Sequence, residues 1–273
     1  MAKLFIVGTP IGNLNDISSR AIETLKSVDV IACEDTRHSL PLLNHFGISK
    51  KLISYHKFNE EEMKGRIGDM ISGGENVALI SDAGMPSVCD PGATLVSFCH
   101  ENGIEVEVVP SATAVTSAIA LSGLNASGFL FLGFLPSKYS EKVQLLSDYA
   151  TVKVPIAIYS APHDILDDAK AMYEAFGDRK AYVVKELTKL YERVEFTTLK
   201  DFNISEPKGE YVLIVEGGNP SNPLNELSIE EHIQSYINLG EDKKNAIKLV
   251  AKDRGMSKND VYQLALKLGD KKG

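Results

Sequence analysis

Cysteine is scarce in this chain: Cys33, Cys89 and Cys99 are the whole set, and no two form a CxxC. An odd, unpatterned trio excludes a disulfide framework and points to a reducing cytoplasm. Long apolar runs are missing as well. The longest, Phe129–Leu135, falls far short of the roughly 20 residues that cross a bilayer. The opening stretch, MAKLFIVG, is too short for a signal-peptide apolar region. No membrane partner is expected, and the protein reads as soluble and cytoplasmic. The histidines (38, 45, 56, 100, 163, 232) form no HExxH or HxxxH pair, so no metal site is expected. An excess of positive charge is also absent: 29 Lys and Arg stand against 37 Asp and Glu, a net of −8. That argues against a generic polyanion binder, and no DNA partner is expected, because non-specific nucleic-acid affinity comes from phosphate neutralisation.

What is present is ordinary globular composition, 44% hydrophobic and 24% charged over 273 residues. That length suits two domains, or one large domain with an appendage. The first 110 residues alternate. Strands are predicted at 3–7, 29–33, 76–80 and 104–109. Helices are predicted at 17–28, at 39–46 closed by Gly47, and from Asn59 to the Gly73–Gly74 pair. Asn59 and Glu62 have capping-box spacing, and Asp90 before Pro91 has the pattern of a helix start. Strand alternating with helix implies a parallel sheet covered on its faces. After a helix at 112–121 the pattern changes. Strands are predicted at 129–132, 155–159, 181–185, 191–196 and 210–215, with helices at 140–149 and 162–176. Some connections are too short for a helical crossover, so this sheet should be mixed. By alternation Tyr191 and Phe196 read as sheet packing. EGGNPSNP (216–223) is linker chemistry. Three helices follow, near 228–239, 242–253 and 257–268. Gly255 would end the second, and Ser257 with Asp260 would cap the third. The domains are expected at 1–116, 117–222 and 223–273.

In α/β sheets, ligands bind beyond the carboxyl ends of the strands, and four loops there are rich in small residues. Gly8-Thr9-Pro10-Ile11-Gly12 can let a ligand approach its backbone, or can be a plain tight turn. Glu34-Asp35-Thr36-Arg37-His38 reads as a substrate-facing loop or as a solvated loop with a local Asp35–Arg37 pair. Glu34 lies 22 residues past Gly12, close to the spacing of a ribose-binding acid in dinucleotide folds. Ser81-Asp82-Ala83-Gly84-Met85 places a carboxylate at a strand tip. Pro110-Ser111-Ala112-Thr113-Ala114 opens a helix whose first N–H groups are free. Jointly these loops suggest a pocket for an adenosine-like cofactor held largely by backbone.

The segments VGTPIGNL, CEDTRHS, HFGI, HKFNEEE, LISDAGMPSVCDPG, SGL, GFLPSK, KELTK and GEYVLIVEGG occur in this order. Together they resemble the bacterial 16S ribosomal-RNA cytidine 2′-O-methyltransferases of the small subunit, within the tetrapyrrole methylase-like superfamily. The resemblance spans about residues 3–268. It implies two α/β domains, the first mainly parallel and the second mixed, plus a small C-terminal helical domain. It implies S-adenosylmethionine in the cleft between the two domains, a homodimer, and 16S rRNA or the small ribosomal subunit as partner. Cofactor contacts are implied at Gly8, Thr9, Pro10, Ile11, Gly12, Ser81, Asp82, Ala83, Gly84, Met85, Thr113, Ala114, Tyr159, Ser160 and Glu210. Substrate contacts are implied at Asp35, Thr36, Arg37, His56, Asn59 and Lys189. A ribose hydroxyl is a poor nucleophile, so a base is expected, with Glu34 and Glu186 as candidates. This chain departs from the family pattern in three places. No glycine precedes Pro110-Ser111-Ala112, Met85 stands where Thr is usual, and Tyr159-Ser160-Ala161-Pro162-His163-Asp164 replaces a YESPHR segment. Competing readings are an RNA-binding assembly factor without transfer, a nicotinamide oxidoreductase and a small-molecule methylase of the tetrapyrrole type.

The charge is uneven. From Lys243 to Lys272 nine Lys and Arg face three Asp, a net of +6, which leaves −14 for the rest. A basic helical tail on an acidic body suits delegated phosphate contact, with Lys243, Lys244 and Lys248 as candidates. Terminal lysines that only aid solubility are the alternative.

Overall fold

The sequence's most apolar strands are buried at every position: β2 (Val30–Cys33) and β4 (Val77–Ile80). Strands without a polar face need cover on both sides. They join β1 (Leu4–Val7), β3 (Lys51–Ser54) and β5 (Val106–Val109) in an all-parallel sheet of order β3-β2-β4-β1-β5. The computed structural model describes residues 1–124, 127–218, 223–254 and 256–269. Side-chain alternation divides the strand residues between two cores. Leu4, Ile6, Val30, Ala32, Val77 and Leu79 pack with α3 (Glu60–Ser72) and α4 (Ala93–Glu101). Val7, Ile31, Cys33, Ala78 and Ile80 pack with α1 (Ser19–Ser27) and α2 (Thr36–His45). The chain therefore leaves β1 for a helix on one face and leaves the adjacent β4 for a helix on the other. That divergence opens a crevice at the carboxyl ends of β1 and β4.

A second sheet has the order β6-β7-β10-β8-β9. It is built from β6 (Leu130–Phe134), β7 (Ile156–Ser160), β8 (Lys180–Lys185), β9 (Arg193–Thr198) and β10 (Tyr211–Val215). Only β6 and β7 are parallel; the other pairings are antiparallel, as the short connections require. One face carries α6 (Tyr139–Ser147) and α7 (Ile165–Phe176). The other carries α5 (Ala114–Ser122), whose Val115 and Ala118 pack on Ala157, Val184, Val212 and Ile214. Residue 116 thus lies inside a helix that covers the second sheet.

Several local expectations are corrected. Helix α2 starts at Thr36 rather than 39, because the Asp35 carboxylate accepts the Arg37 N–H at 2.8 Å and caps it. The Asn59–Glu62 capping box does not form: Asn59 Oδ1 accepts the His56 N–H at 2.8 Å and its Nδ2 donates to the Ser54 carbonyl at 3.1 Å. Asp90 and Pro91 do not open a helix. The Ser87 N–H donates to the Pro91 carbonyl, Gly92 sits at φ 143°, and α4 begins at Ala93. Strand β3, with only Leu52 and Ile53 as apolar residues, gave too short a run to read. Tyr191 lies outside any strand and is exposed, and Phe196 is exposed on the edge strand β9.

Residues 1–217 form one compact unit and 218–273 a second. The second holds α8 (Ile229–Asn238), α9 (Lys243–Asp253) and α10 (Lys258–Gly269) around Ile233, Ile247, Val250 and Val261. Ser228 and Glu231 make a reciprocal capping box on α8. The expected Ser257 cap forms, with the Asp260 N–H at 3.1 Å from its hydroxyl. His232 is fully buried; its Nδ1 accepts from Arg254 at 3.1 Å, which places the ring proton on Nε2 beside Asp253. Gly255, the linker residues 219–222, and Lys271 and Lys272 of the basic tail lie outside the described residues.

One buried ion pair braces the second sheet. Lys142 of α6 is 2% exposed, and its ammonium lies 2.6 Å from Asp168 and 3.2 Å from Asp164. Burial pulls its pKa down, but the two carboxylates outweigh burial and the net is upward. The second Asp168 oxygen accepts the Ser160 hydroxyl at 2.5 Å, tying this pair to the end of β7. Breaking a buried pair strands a charge, so Lys142→Met should cost about 3–5 kcal/mol of stability in urea denaturation. The double variant Lys142→Met/Asp168→Leu should recover most of that loss.

Candidate active site

The crevice between β1 and β4 is closed by backbone. The Thr9 N–H donates to the Gly84 carbonyl at 2.8 Å and the Gly84 N–H returns to Thr9 at 3.2 Å. The Thr9 hydroxyl donates to the Ser81 carbonyl at 3.2 Å, and the Ser111 hydroxyl donates to the Thr9 carbonyl at 3.0 Å. These loops fit only because Gly8 has no side chain: a Cβ there would lie 2.4 Å from the Ser111 Cβ and 2.6 Å from the Met85 sulfur. Gly12 makes the same kind of approach to the second sheet's loop: a Cβ there would lie 2.6 Å from the Lys189 Cγ and 3.0 Å from the Leu187 carbonyl. Both glycines are required by protein packing around the site.

Beyond this stitching lies a cavity of about 450 Å³. Ile11, the loop Asp82–Met85 and the segment Val88–Asp90 line it from the first sheet. Thr113 and Ala114 enter from the start of α5, where Thr113 makes no side-chain cap. Phe134, Tyr159–Pro162, Val184, Leu187 and Glu210–Val212 line it from the second sheet. Tyr159 is fixed by edge-on contacts with Phe131 and Phe134 and by its oxygen, which accepts the Val115 N–H at 3.3 Å. The walls are chiefly apolar, with exposed backbone at the β4 loop and a few carboxylates, the usual make-up of a small-molecule site.

The expected cofactor residues divide. Ile11, Asp82, Ala83, Gly84, Met85, Thr113, Ala114, Tyr159, Ser160 and Glu210 are brought together on the cavity wall. Gly8, Thr9, Pro10, Gly12 and Ser81 are not on that wall. Glu34, Glu186, Asp35, Thr36, Arg37, His56, Asn59 and Lys189 are not on the wall either. Arg37 folds back onto Asp35 at 2.7 Å and holds that carboxyl well below its usual range. His56 and Asn59 spend their groups on a local turn. Glu186 sits at φ 50° and accepts the Glu210 N–H at 2.9 Å and the Lys189 ammonium at 3.0 Å. Burial works to raise its pKa, but these partners prevail and the net is downward, which makes it a weak base. Lys189 also holds Glu210 at 2.8 Å. Glu34 is shifted the other way, upward, by burial and then by the charge of Asp82. Asp82 itself pairs with His38 at 3.0 Å, which raises the imidazole pKa.

Sequence reading missed Val88, Cys89 and Asp90, because Asp-Pro-Gly imitates a helix start. It missed Val184, Tyr211 and Val212 because strand residues that face a cavity look like core, and Leu187 because it is a single apolar residue in a polar turn. On α9, Lys244, Lys248 and Lys252 are all exposed at i, i+4 and i+8, so they form one stripe. Lys243 is exposed one position before it.

Two successive α/β sheets close this cavity with their strand-end loops, an arrangement in keeping with the methylase class that the sequence defines. The chain belongs to the Tetrapyrrole (Corrin/Porphyrin) Methylases, whose sequence profile matches residues 3–203. Within that class it is similar to proteins named Ribosomal RNA small subunit methyltransferase I. The one from Halalkalibacterium halodurans is 42% identical over 270 residues, covering 96% of this chain and 93% of the relative. The one from Thermotoga maritima is 40% identical over 223 residues, 80% of this chain and 99% of the relative. The fold is shared with the methyltransferase CobJ, at TM-score 0.62 and 17% identity over 80% of this chain and 95% of that one. It is shared too with uroporphyrin-III C-methyltransferase from Thermus thermophilus complexed with S-adenyl homocysteine, at TM-score 0.55 and 20% identity over 79% of this chain and 97% of that one.

Gly8→Ala tests the packing at the crevice. The new methyl group meets Cβ and backbone atoms of Ser111, which have little room to give. The variant should lose about 1–3 kcal/mol of stability in thermal or urea unfolding, and the Thr9–Gly84 amides should lose hydrogen-exchange protection.

Proposed function

We propose that this chain transfers the methyl group of S-adenosylmethionine to the ribose 2′-hydroxyl of a cytidine in the decoding region of 16S rRNA. The observation that carries the reading is the cavity at the β1/β4 crevice in a chain 42% identical to a named rRNA small-subunit methyltransferase. Its volume, about 450 Å³, falls within the roughly 300–1,000 Å³ of small-molecule sites. Its make-up suits S-adenosylmethionine. Ile11, Tyr159, Leu187 and Val212 offer apolar walls to an adenine ring, and the backbone of Ala83, Gly84 and Ala114 offers polar edges. Asp82 and Glu210 offer negative charge to a cationic donor. The bound cofactor supplies a methyl group already activated on a sulfonium, so the protein's main task is alignment of donor and acceptor. The small residues Ala161 and Pro162 leave the second-sheet wall open for an acceptor.

The C-terminal unit is read as the RNA grip. The lysine stripe on α9 presents a row of cations from a body that is otherwise acidic. The Thermotoga maritima relative leaves 20% of this chain unmatched, a share close in size to residues 218–273, so an appendage suits accessory binding better than chemistry. A homodimer is part of the same reading. A second reading, an RNA-binding assembly factor without transfer, draws on Ser160 and Asp164 standing where a glutamate and an arginine are usual.

Small subunits from cells lacking this gene, incubated with the protein and methyl-labelled S-adenosylmethionine, should gain one label. Nuclease mapping should place it on a cytidine 2′-oxygen. Binding without label would favour the assembly factor, and label on a base would refute the ribose assignment. Replacing Lys244, Lys248 and Lys252 with alanine should weaken subunit binding and reduce its log–log salt slope by about 0.7–0.9 per lost phosphate contact. Cofactor affinity, measured by calorimetry, should stay unchanged. An unaltered salt slope would remove the tail from RNA recognition.

A further inference from the structure

Three carboxylates reach the cavity wall: Asp82, Asp90 and Glu210. Glu210 is 76% exposed and bound to Lys189, and Asp82 is bound to His38. Asp90 is half-buried, and among the described residues it has no cationic partner. Its place is built rather than incidental. Ser87 and Cys89 hold the left-handed backbone at φ 68° and 66°, and Gly92 holds φ 143°. Such conformations persist only where the surroundings impose them. Here the Ser87 N–H donates to the Pro91 carbonyl, and the Gly92 N–H donates to Glu60 at 2.9 Å. Glu60 in turn accepts the hydroxyl of buried Tyr55 at 3.0 Å. A side chain at Gly92 would strike the Ser87 hydroxyl and Leu79, and the loop so held puts Asp90 on the cavity wall.

We propose that Asp90 is the general base of the methyl transfer, an inference that rests on the ribose-methylation reading above. As the acceptor oxygen bonds to the methyl carbon, the carbon–sulfur bond breaks and its electron pair neutralises the sulfonium. The hydroxyl proton passes to the Asp90 carboxylate and from there to solvent. The charges around Asp90 suit this role. Burial raises its pKa, the Glu34 carboxylate raises it further, the Ser81 hydroxyl eases it slightly and Asp82 adds to it, bringing it to about 6. Tyr159 and Cys89 face it as neutral groups with raised pKa values. The nearby imidazoles act at one remove, His38 through Asp82 and His56 through Glu34. A base with a pKa just below neutrality is mostly ionised at work and still accepts a proton better than an ordinary carboxylate. Glu34 is then a positioning residue, acting on the proton affinity of Asp90.

The test is single-turnover methylation of small subunits across pH, with cofactor affinity measured separately by calorimetry with S-adenosylhomocysteine. The wild-type rate should rise tenfold per pH unit and level off with a break near 6. Asp90→Asn should lower the plateau by about 10²–10⁴-fold, abolish the break and leave cofactor affinity within about twofold. Glu34→Gln, which keeps Asp90 in place, should move the break to lower pH with little change in the plateau. A break that stays put in Glu34→Gln would overturn the proposal, and so would full turnover in Asp90→Asn. Loss of cofactor affinity in Asp90→Asn equal to its loss of rate would make Asp90 a cofactor ligand instead. A wild-type protein that labels no subunit would bring down the substrate reading and the base with it. Wild-type labelling with an equally active Asp90→Asn variant would bring down the base alone.

Discussion

The structure depends on the backbone pair between Thr9 and Gly84, which closes the gap where two neighbouring parallel strands send their chains to opposite faces of one sheet. The pairing requires Gly8 to lie against Ser111 and Met85, and it commits the hydroxyls of Thr9, Ser81 and Ser111 to internal bonds. Once that seam is shut, the next residues along both loops, Ile11 and Asp82–Met85, line the cavity. The close approach of Gly12 to the Leu187–Lys189 loop then fixes the distance to the second sheet.

Around that frame, polar groups fall into two kinds. Most are satisfied by a neighbour. Arg37 binds Asp35, Lys189 bridges Glu186 and Glu210, and Lys142 sits between Asp164 and Asp168. Groups held in this way stiffen loops and sheet ends, but their charge is spoken for. Asp90 differs, being half-buried on the cavity wall near two other carboxylates and, among the described residues, no cationic partner. A buried, unpaired carboxylate raises its own pKa because desolvation and like charges both disfavour ionisation. The same physics that makes Glu186 a tether makes Asp90 a proton acceptor.

Much of the fold was legible from residues 1–110, because fully apolar strands alternating with amphipathic helices leave few architectures open. The switch to a mixed sheet was legible from connection length alone: the stretch from Lys185 to Tyr191, where the next strand was expected, leaves no room for a crossover. The site was legible by its loops and less so by its residues. Glu34 and Glu186 drew attention as charged residues at strand ends, yet neither reaches the cavity wall. Asp90 was hidden by its setting, since Asp-Pro-Gly before an apolar helix has every local mark of a cap. Val184, Tyr211 and Val212 were hidden because a strand residue facing a cavity and one facing a core have the same hydrophobicity. Tyr191 was misplaced because aromatic alternation near an edge strand carries no information about which side meets solvent.

By itself, the amino-acid sequence determined the sheet classes, the succession of helices, the concentration of positive charge near the C-terminus and the family to which the chain belongs. Each of these is written in local pattern or in motif order, so no long-range contact is needed to read it. Tertiary structure alone decided which cavity carboxylate is left without a counter-ion among the described residues, which glycines are required by packing, and which strand residues line a cavity. Those properties depend on distances between segments far apart in the chain: Gly8 to Ser111, Gly12 to Lys189, Asp90 to Glu34. Desolvation and Coulomb interaction act through those distances, and residue order does not encode them.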